Sequence, residues 1–398
     1  MELAPARPLP GVRAFELPDA GGSSSPGLAI GADELHLVWM SQAGAPTLML
    51  AGLPQASALA DNEWSEPQAV ESNPRLLINW ADVPAVGETA AGRVVVAWPE
   101  HHTDDPAVGY GLRVAAQLDD GSFAPAWSPD EVRTGRESGF TGFVATPAGL
   151  RMFWLDGRDL GHGHGAEGQG TMALRSVLID DEGHQVGPSE LLDGRTCECC
   201  KIGVGVVGDQ AFAAYRDRSE SEIRDIFVAG PGLAPRRVAE DGWKIAGCPV
   251  NGPAVASARD RAHVAWFTGA DDRSVARVAS GSPEAGFGRP ARFDLGFPAG
   301  RIDLTATPDG GALISWFELE DGVPGRARLL TRRLGADGRL GDAFEVAEVG
   351  AARDWGFPRA AVVGDRVLWV FSDPAGDGGR PRLRGRVSAL PGLGPTGS

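Results

Sequence analysis

The chain is poor in cysteine, with four in 398 residues, and poorer still in tyrosine, with two. Any chemistry that needs a tyrosine nucleophile is therefore confined to Tyr110 and Tyr215. No stretch approaches the roughly 18 consecutive apolar residues of a membrane span, so membrane insertion by a helix is excluded. The first thirty residues also lack the apolar core of a secretion signal, which leaves a cytoplasmic protein or the mature form of an exported one. Positive charge is in short supply. Against 53 acidic residues there are 37 basic ones, and a net charge of −16 repels phosphate backbones and anionic lipid alike. Nucleic acid is not an expected partner.

Glycine, at 56 residues, and proline, at 30, are too abundant for a helical protein and suit short strands joined by turns. One pattern recurs along the chain: a turn residue, then apolar positions ending in an aromatic. Its copies are LHLVW ending at Trp39, VVVAW at Trp98, RMFW at Trp154, AFAAY at Tyr215, AHVAW at Trp266, ALISW at Trp316 and VLWVF at Phe371, spaced 50 to 61 residues apart. That period matches one four-stranded blade per copy. The expectation is one all-β domain over 1–398, a seven-bladed propeller with four antiparallel strands per blade, six blades being the alternative. The blades fall near 27–70, 76–132, 139–193, 201–240, 251–295, 301–348 and 358–390. The last runs out of chain before its outer strand, and GVRAFELP (residues 11–18) is expected to supply it and close the ring. Tyr215, at the aromatic register, is read as core.

In a four-stranded meander the start of strand one, the end of strand two and the start of strand three lie at one end of the blade. This sorts the chemistry. Acidic-Gly turns at 118–127, 179–185 and 335–344 fall at one end, and the segments TCECCK and AGCPVNG fall at the other. All four cysteines are thereby placed around the mouth, which also receives PEHHTDD and DGRDLGHGHG. His36, His263 and His184 lie elsewhere and are read as solvated or hydrogen-bonded.

Thiolates and imidazoles together favour Cu(I) or Zn(II) over Mg or Ca, so Cys197, Cys199, Cys200 and Cys248 with His162 or His164 are candidate ligands of a metal or redox site. In extended chain Cys197 and Cys199 point one way and Cys200 the other, so a bend is needed to gather all three. The alternative is structural disulfides, most simply Cys200 with Cys248, although four cysteines permit three full pairings. With disulfides or exported thiolates the compartment is periplasmic or secreted; cytoplasmic metal thiolates are the other option.

The acidic-Gly turns, read as degenerate Asp-boxes, resemble those of the sialidase superfamily, the bacterial neuraminidase-repeat proteins. The segments LLINWADVP, FWLDGR, RTCECCK, AYRDRSESEIRDI, GWKIAGCPVNGPAVA and AGRIDL are similar to a bacterial group of sialidase-like proteins. The resemblance implies a propeller. For activity it implies an arginine triad, a tyrosine nucleophile paired with a glutamate, and an aspartate acid/base. The Arg-Ile-Pro motif of true sialidases is absent, and the nearest match is Gly300-Arg301-Ile302-Asp303. On this basis an exo-glycosidase would act through Tyr110, Arg301 and Asp217 or Asp303, with Arg158, Arg216, Arg218 and Asn251 holding a glycan at the mouth. The competing reading of RDRSESEIRD is an ion-pair network that shapes its own loop. A propeller that binds a glycan or protein without chemistry is the third possibility.

Overall fold

The computed structural model describes all residues except 1–4, 19–20, 58, 61, 130–136, 161–169, 259, 375–378 and 394–398. Its strands form seven sheets, and the inner strands Ser23–Ile30, Ala85–Glu88, Ser138–Thr146, Gly203–Val207, Ala254–Ala258, Pro298–Ala306 and Arg359–Val363 each touch the next, the last returning to the first. This is a closed seven-bladed propeller.

The recurrent segments are the second strands of the blades. Val94–His101 and Ala312–Leu319 are buried along almost their whole length, because blades cover both of their faces. A strand buried on both faces reads as a continuous apolar run rather than an alternation. The outer strand Gln185–Thr196, by contrast, is largely exposed. Among the described residues the core divides into seven apolar clusters, one at each blade interface, with Trp98, Trp154, Trp266, Trp316 and Trp369 fully buried. Aromatic area of this size dominates such packing.

Ring closure follows the expected route. Arg13–Phe15 pairs antiparallel with Arg382–Ala389 as the outer strand of blade seven, and Phe15 packs into the interface with blade one. The N-terminus does more than expected, since Arg7–Pro8 also adds a parallel fifth strand to the edge of blade six. Four strands per blade needs correction at two places. Blade two has three, its fourth reduced to bridges between Val114 and Trp127 and between Gln117 and Phe123. In blade five the outer strand is split into Gly286–Phe287 and Ala291–Arg292. Pro125 and Pro290 sit at these two positions, and proline has no N–H to give a ladder.

Three inner strands bulge at the mouth end, in blades one, three and six. Each bulge carries a non-glycine residue in the left-handed region: Ser25 at φ 58°, Phe140 at 57° and Arg301 at 54°. Such bulges re-aim side chains, and here all three are buried, with Phe140 in an apolar cluster, Ser25 donating to the Asn79 carbonyl and Arg301 over the Trp80 ring.

Candidate functional site

The long outer strand of blade three delivers the cysteine segment. It ends at Thr196, whose hydroxyl donates to the Met172 carbonyl, and Cys197 N–H then bonds the Arg216 carbonyl of blade four at 2.9 Å. A tight turn at Glu198 and Cys199 follows. That turn supplies the bend that an extended strand lacked: the Cys197 and Cys200 sulfurs are 3.3 Å apart, and Cys197 and Cys199 are 4.0 Å apart. Cys248, on the loop between blades four and five, completes the group through a disulfide to Cys199. The bond is therefore Cys199–Cys248, and the simplest pairing expected from the sequence, Cys200 with Cys248, is not formed. Cys200 turns into the interior, where it is 1% exposed, and leaves Cys199 to face the neighbouring loop.

Cys197 and Cys200 are free thiols with opposite electrostatics. The hydrogen bond between Cys197 and Cys200, aided by the charges of Arg224 and Arg216, pulls the Cys197 thiol down to about 6. Burial pushes Cys200 well above the ordinary thiol range, and its shared proton with Cys197 adds to this. The Arg224 guanidinium lies 3.1 Å from the Cys197 sulfur and is held by Glu222 at 2.8 Å. Glu222 also pairs with Arg218, which in turn reaches Glu198 inside the cysteine turn. The charges of RDRSESEIRD thus form a network, and its far end is the cysteine site. Arg216 stiffens the floor: it is 1% exposed and donates to the carbonyls of Arg224, Asn251 and Phe267 under the Trp243 ring.

The other expected site residues divide between scaffold and mouth. Arg158 forms a two-pronged ion pair with Asp156. Asn251 accepts the Arg301 N–H and donates to the Ala299 carbonyl, thereby holding the blade-six bulge. The Arg301 guanidinium is laid 4.1 Å over the Trp80 ring and 5.2 Å from Phe357, and burial lowers it to about 10. Lys201, buried and donating to the Ile302 carbonyl, shares the Phe357 ring, and its amine is lowered by burial to about 7. Asp303 accepts the Ala360 N–H and lies 3.8 Å from Arg359. Asp217 stands apart in blade four, raised to about 6 by burial and by Asp193. Tyr215 is buried and gives its hydroxyl to Asp193. His162 and His164 lie outside the described residues.

Two features were missed from sequence, the acidic partner of the candidate Tyr110 and a cavity on the ring axis. Tyr110 stands beside Asp82, whose carboxyl burial raises to about 7, against the Phe140 N–H at 2.7 Å. Gly139 permits this approach, since a Cβ there would lie 1.8 Å from the Asp82 carboxylate. The second is an axial cavity of about 240 Å³ lined by all seven inner strands, with Lys201, Asp303 and Arg359 in its wall. Neither has a local signal, because both arise only when distant blades meet.

No family model matches the chain, and no curated protein does. Solved structures match over nearly its full length. A lectin from Burkholderia pseudomallei is 11% identical, covering 94% of this chain and 99% of that one at a TM-score of 0.61. An ulvan lyase bound to a GlcA-Rha3S chain is 10% identical, covering 93% and 94% at 0.54. The α-L-arabinanase of Penicillium chrysogenum is 11% identical, covering 96% and 99% at 0.51. At these identities the likeness is one of fold, and the fold is the propeller that the sialidase-like resemblance implied.

Proposed function

We propose that this propeller is a thiol redox protein, with Cys197 as the reactive thiolate and Cys200 as its buried partner. The carrying observation is the contact of Cys197 with both Cys200 at 3.3 Å and Arg224 at 3.1 Å. A thiol becomes a nucleophile as its thiolate, and a cation beside it favours that form. The adjacent Cys199–Cys248 bond fits a periplasmic or secreted setting.

A second reading uses the same sulfurs. Cys197, Cys199 and Cys200 place their sulfurs within 4.8 Å of one another, and once the disulfide is reduced Cys248 joins them. Such a set suits Cu(I) or Zn(II), with Arg224 neutralising thiolate charge. The test is metal content with a free-thiol count on protein purified without reductant. Two free thiols and no metal support the redox reading; a stoichiometric metal with no free thiol overturns it in favour of the second.

A glycan at the mouth is a separate proposal, supported by the lectin and lyase among the structural neighbours and by the stacking of Arg301 over Trp80. Release from fluorogenic sialosides that is abolished by Arg301→Ala would support hydrolysis. No release from such a panel would leave binding alone to be tested by calorimetry.

A further inference from the structure

The four sulfurs are ordered by depth. Cys248 is exposed and Cys199 half-buried, while Cys197 and Cys200 are each 1% exposed. The two free thiols are therefore the sulfurs that a partner cannot reach, and the disulfide lies between them and solvent. The distances form a chain in the same order, with Cys248 bonded to Cys199, Cys199 at 4.0 Å from Cys197, and Cys197 at 3.3 Å from Cys200. Thiol–disulfide exchange is governed by access to the attacked sulfur and by the attacking thiolate.

We propose that these cysteines form an internal relay, in which one disulfide migrates between the surface pair Cys199–Cys248 and the buried pair Cys197–Cys200. The relay rests on the redox reading above and assigns its route and its port. In the first step the Cys197 thiolate attacks the Cys199 sulfur. A Cys197–Cys199 bond forms, the Cys199–Cys248 bond breaks, and Cys248 leaves as a thiolate at the surface. In the second step Cys200, giving up its proton, attacks Cys197. The Cys197–Cys200 bond forms and Cys199 leaves as a thiolate that takes up a proton. One disulfide and two thiols stand on each side, so no outside oxidant is consumed.

The product presents Cys199 and Cys248 as surface thiols. The partner class that follows is a disulfide accessible to a protruding loop. Cys248 attacks it to give a mixed disulfide, Cys199 displaces the partner's second sulfur as product, and the Cys199–Cys248 bond is restored. The partner disulfide is reduced to two thiols by the two electrons that the surface pair loses. Run backward, the same route oxidises the buried pair from outside. Arg224, 3.1 Å from Cys197 and outside the sulfur chain, positions and stabilises the attacking thiolate.

The test starts from fully reduced full-length protein. Oxidised glutathione is added, aliquots are quenched with acid and alkylated, and the disulfides are mapped by mass spectrometry. Glutathione is expected first on Cys248, followed by Cys199–Cys248 and later by Cys197–Cys200. Cys248→Ala is expected to slow formation of the buried disulfide at least about tenfold, since access then falls to half-buried Cys199. Its fold is checked by circular dichroism, and the order of events in the unmodified protein gives an independent reading should the variant not fold. If Cys197–Cys200 forms equally fast in Cys248→Ala, or glutathione appears first on Cys197, the relay is wrong while the redox reading survives. If Cys197 and Cys200 stay alkylatable at every glutathione ratio, the redox reading itself fails.

Discussion

The Arg224 guanidinium meets the Cys197 sulfur at 3.1 Å with both side chains buried. An arginine brought into the interior normally finds a carboxylate, and Arg224 has one in Glu222 at 2.8 Å. That it spends a second N–H on sulfur makes Cys197 the anionic member of the pair with Cys200.

Arg224→Gln should therefore raise the Cys197 thiol from about 6 toward its ordinary value. The ultraviolet absorbance of thiolate, followed against pH, reports it. An unshifted curve would mean that the hydrogen bond with Cys200 and the charge of Arg216 set the acidity without Arg224.

Asp82 gives a stability signature of the opposite sense. Its folded carboxyl stands at about 7 against 3.8 for the ordinary group, so the folded state holds the extra proton between those values. Stability should fall as pH rises through that window. Asp82→Asn, a neutral mimic of the protonated form, should flatten the slope in urea titrations between about pH 4 and 7. A variant that keeps the wild-type slope would place the titrating group elsewhere.

Ring closure depends on a short strand. Phe15→Ala removes a buried ring from the interface of blades seven and one and should cost about 3–5 kcal/mol in chemical denaturation. A loss within about 0.5 kcal/mol, the range of ordinary surface changes, would show that the closing strand is held by its ladder alone.

Gly139→Ala should be damaging for a different reason. The added methyl would fall 1.8 Å from the Asp82 carboxylate, forcing Asp82 away from the Phe140 N–H. A lower melting temperature together with a weakened pH slope is expected. A double variant with Asp82→Ala should recover part of the loss, because the clash disappears with the carboxylate.

Reduced protein offers the metal test. After phosphine treatment, Zn(II) should protect the cysteines from a disulfide reagent, and protection should fade with acid as protons compete for thiolates. Equal reactivity with and without Zn(II) at neutral pH would remove the metal reading.

Much of the architecture was legible because it is local. The aromatic-ended segments from Trp39 to Phe371 mark second strands wherever they occur, and strand direction alone sends Cys197 and Cys248 to one end of the ring. Pro125 and Pro290 are not read as strand breaks from sequence, and only the sheets show that each interrupts an outer strand. Candidate residues fared differently. Arg158 and Arg216 are what an anion site would use, yet the fold engages one with Asp156 and the other with three carbonyls. Arg224 was visible only as one charge in an alternating loop.

The sequence by itself determined the ring, the number of blades, the strand that closes it and the face that holds the cysteines. These follow from apolar periodicity and chain direction, which each segment carries without reference to its neighbours. Only the tertiary structure decided that Cys199 rather than Cys200 bonds Cys248, 49 residues away, and that Cys197 meets Arg224. A single turn at Glu198 and Cys199 reverses which sulfurs face inward. Its direction is set by the packing of two blades against each other, which no run of residues records.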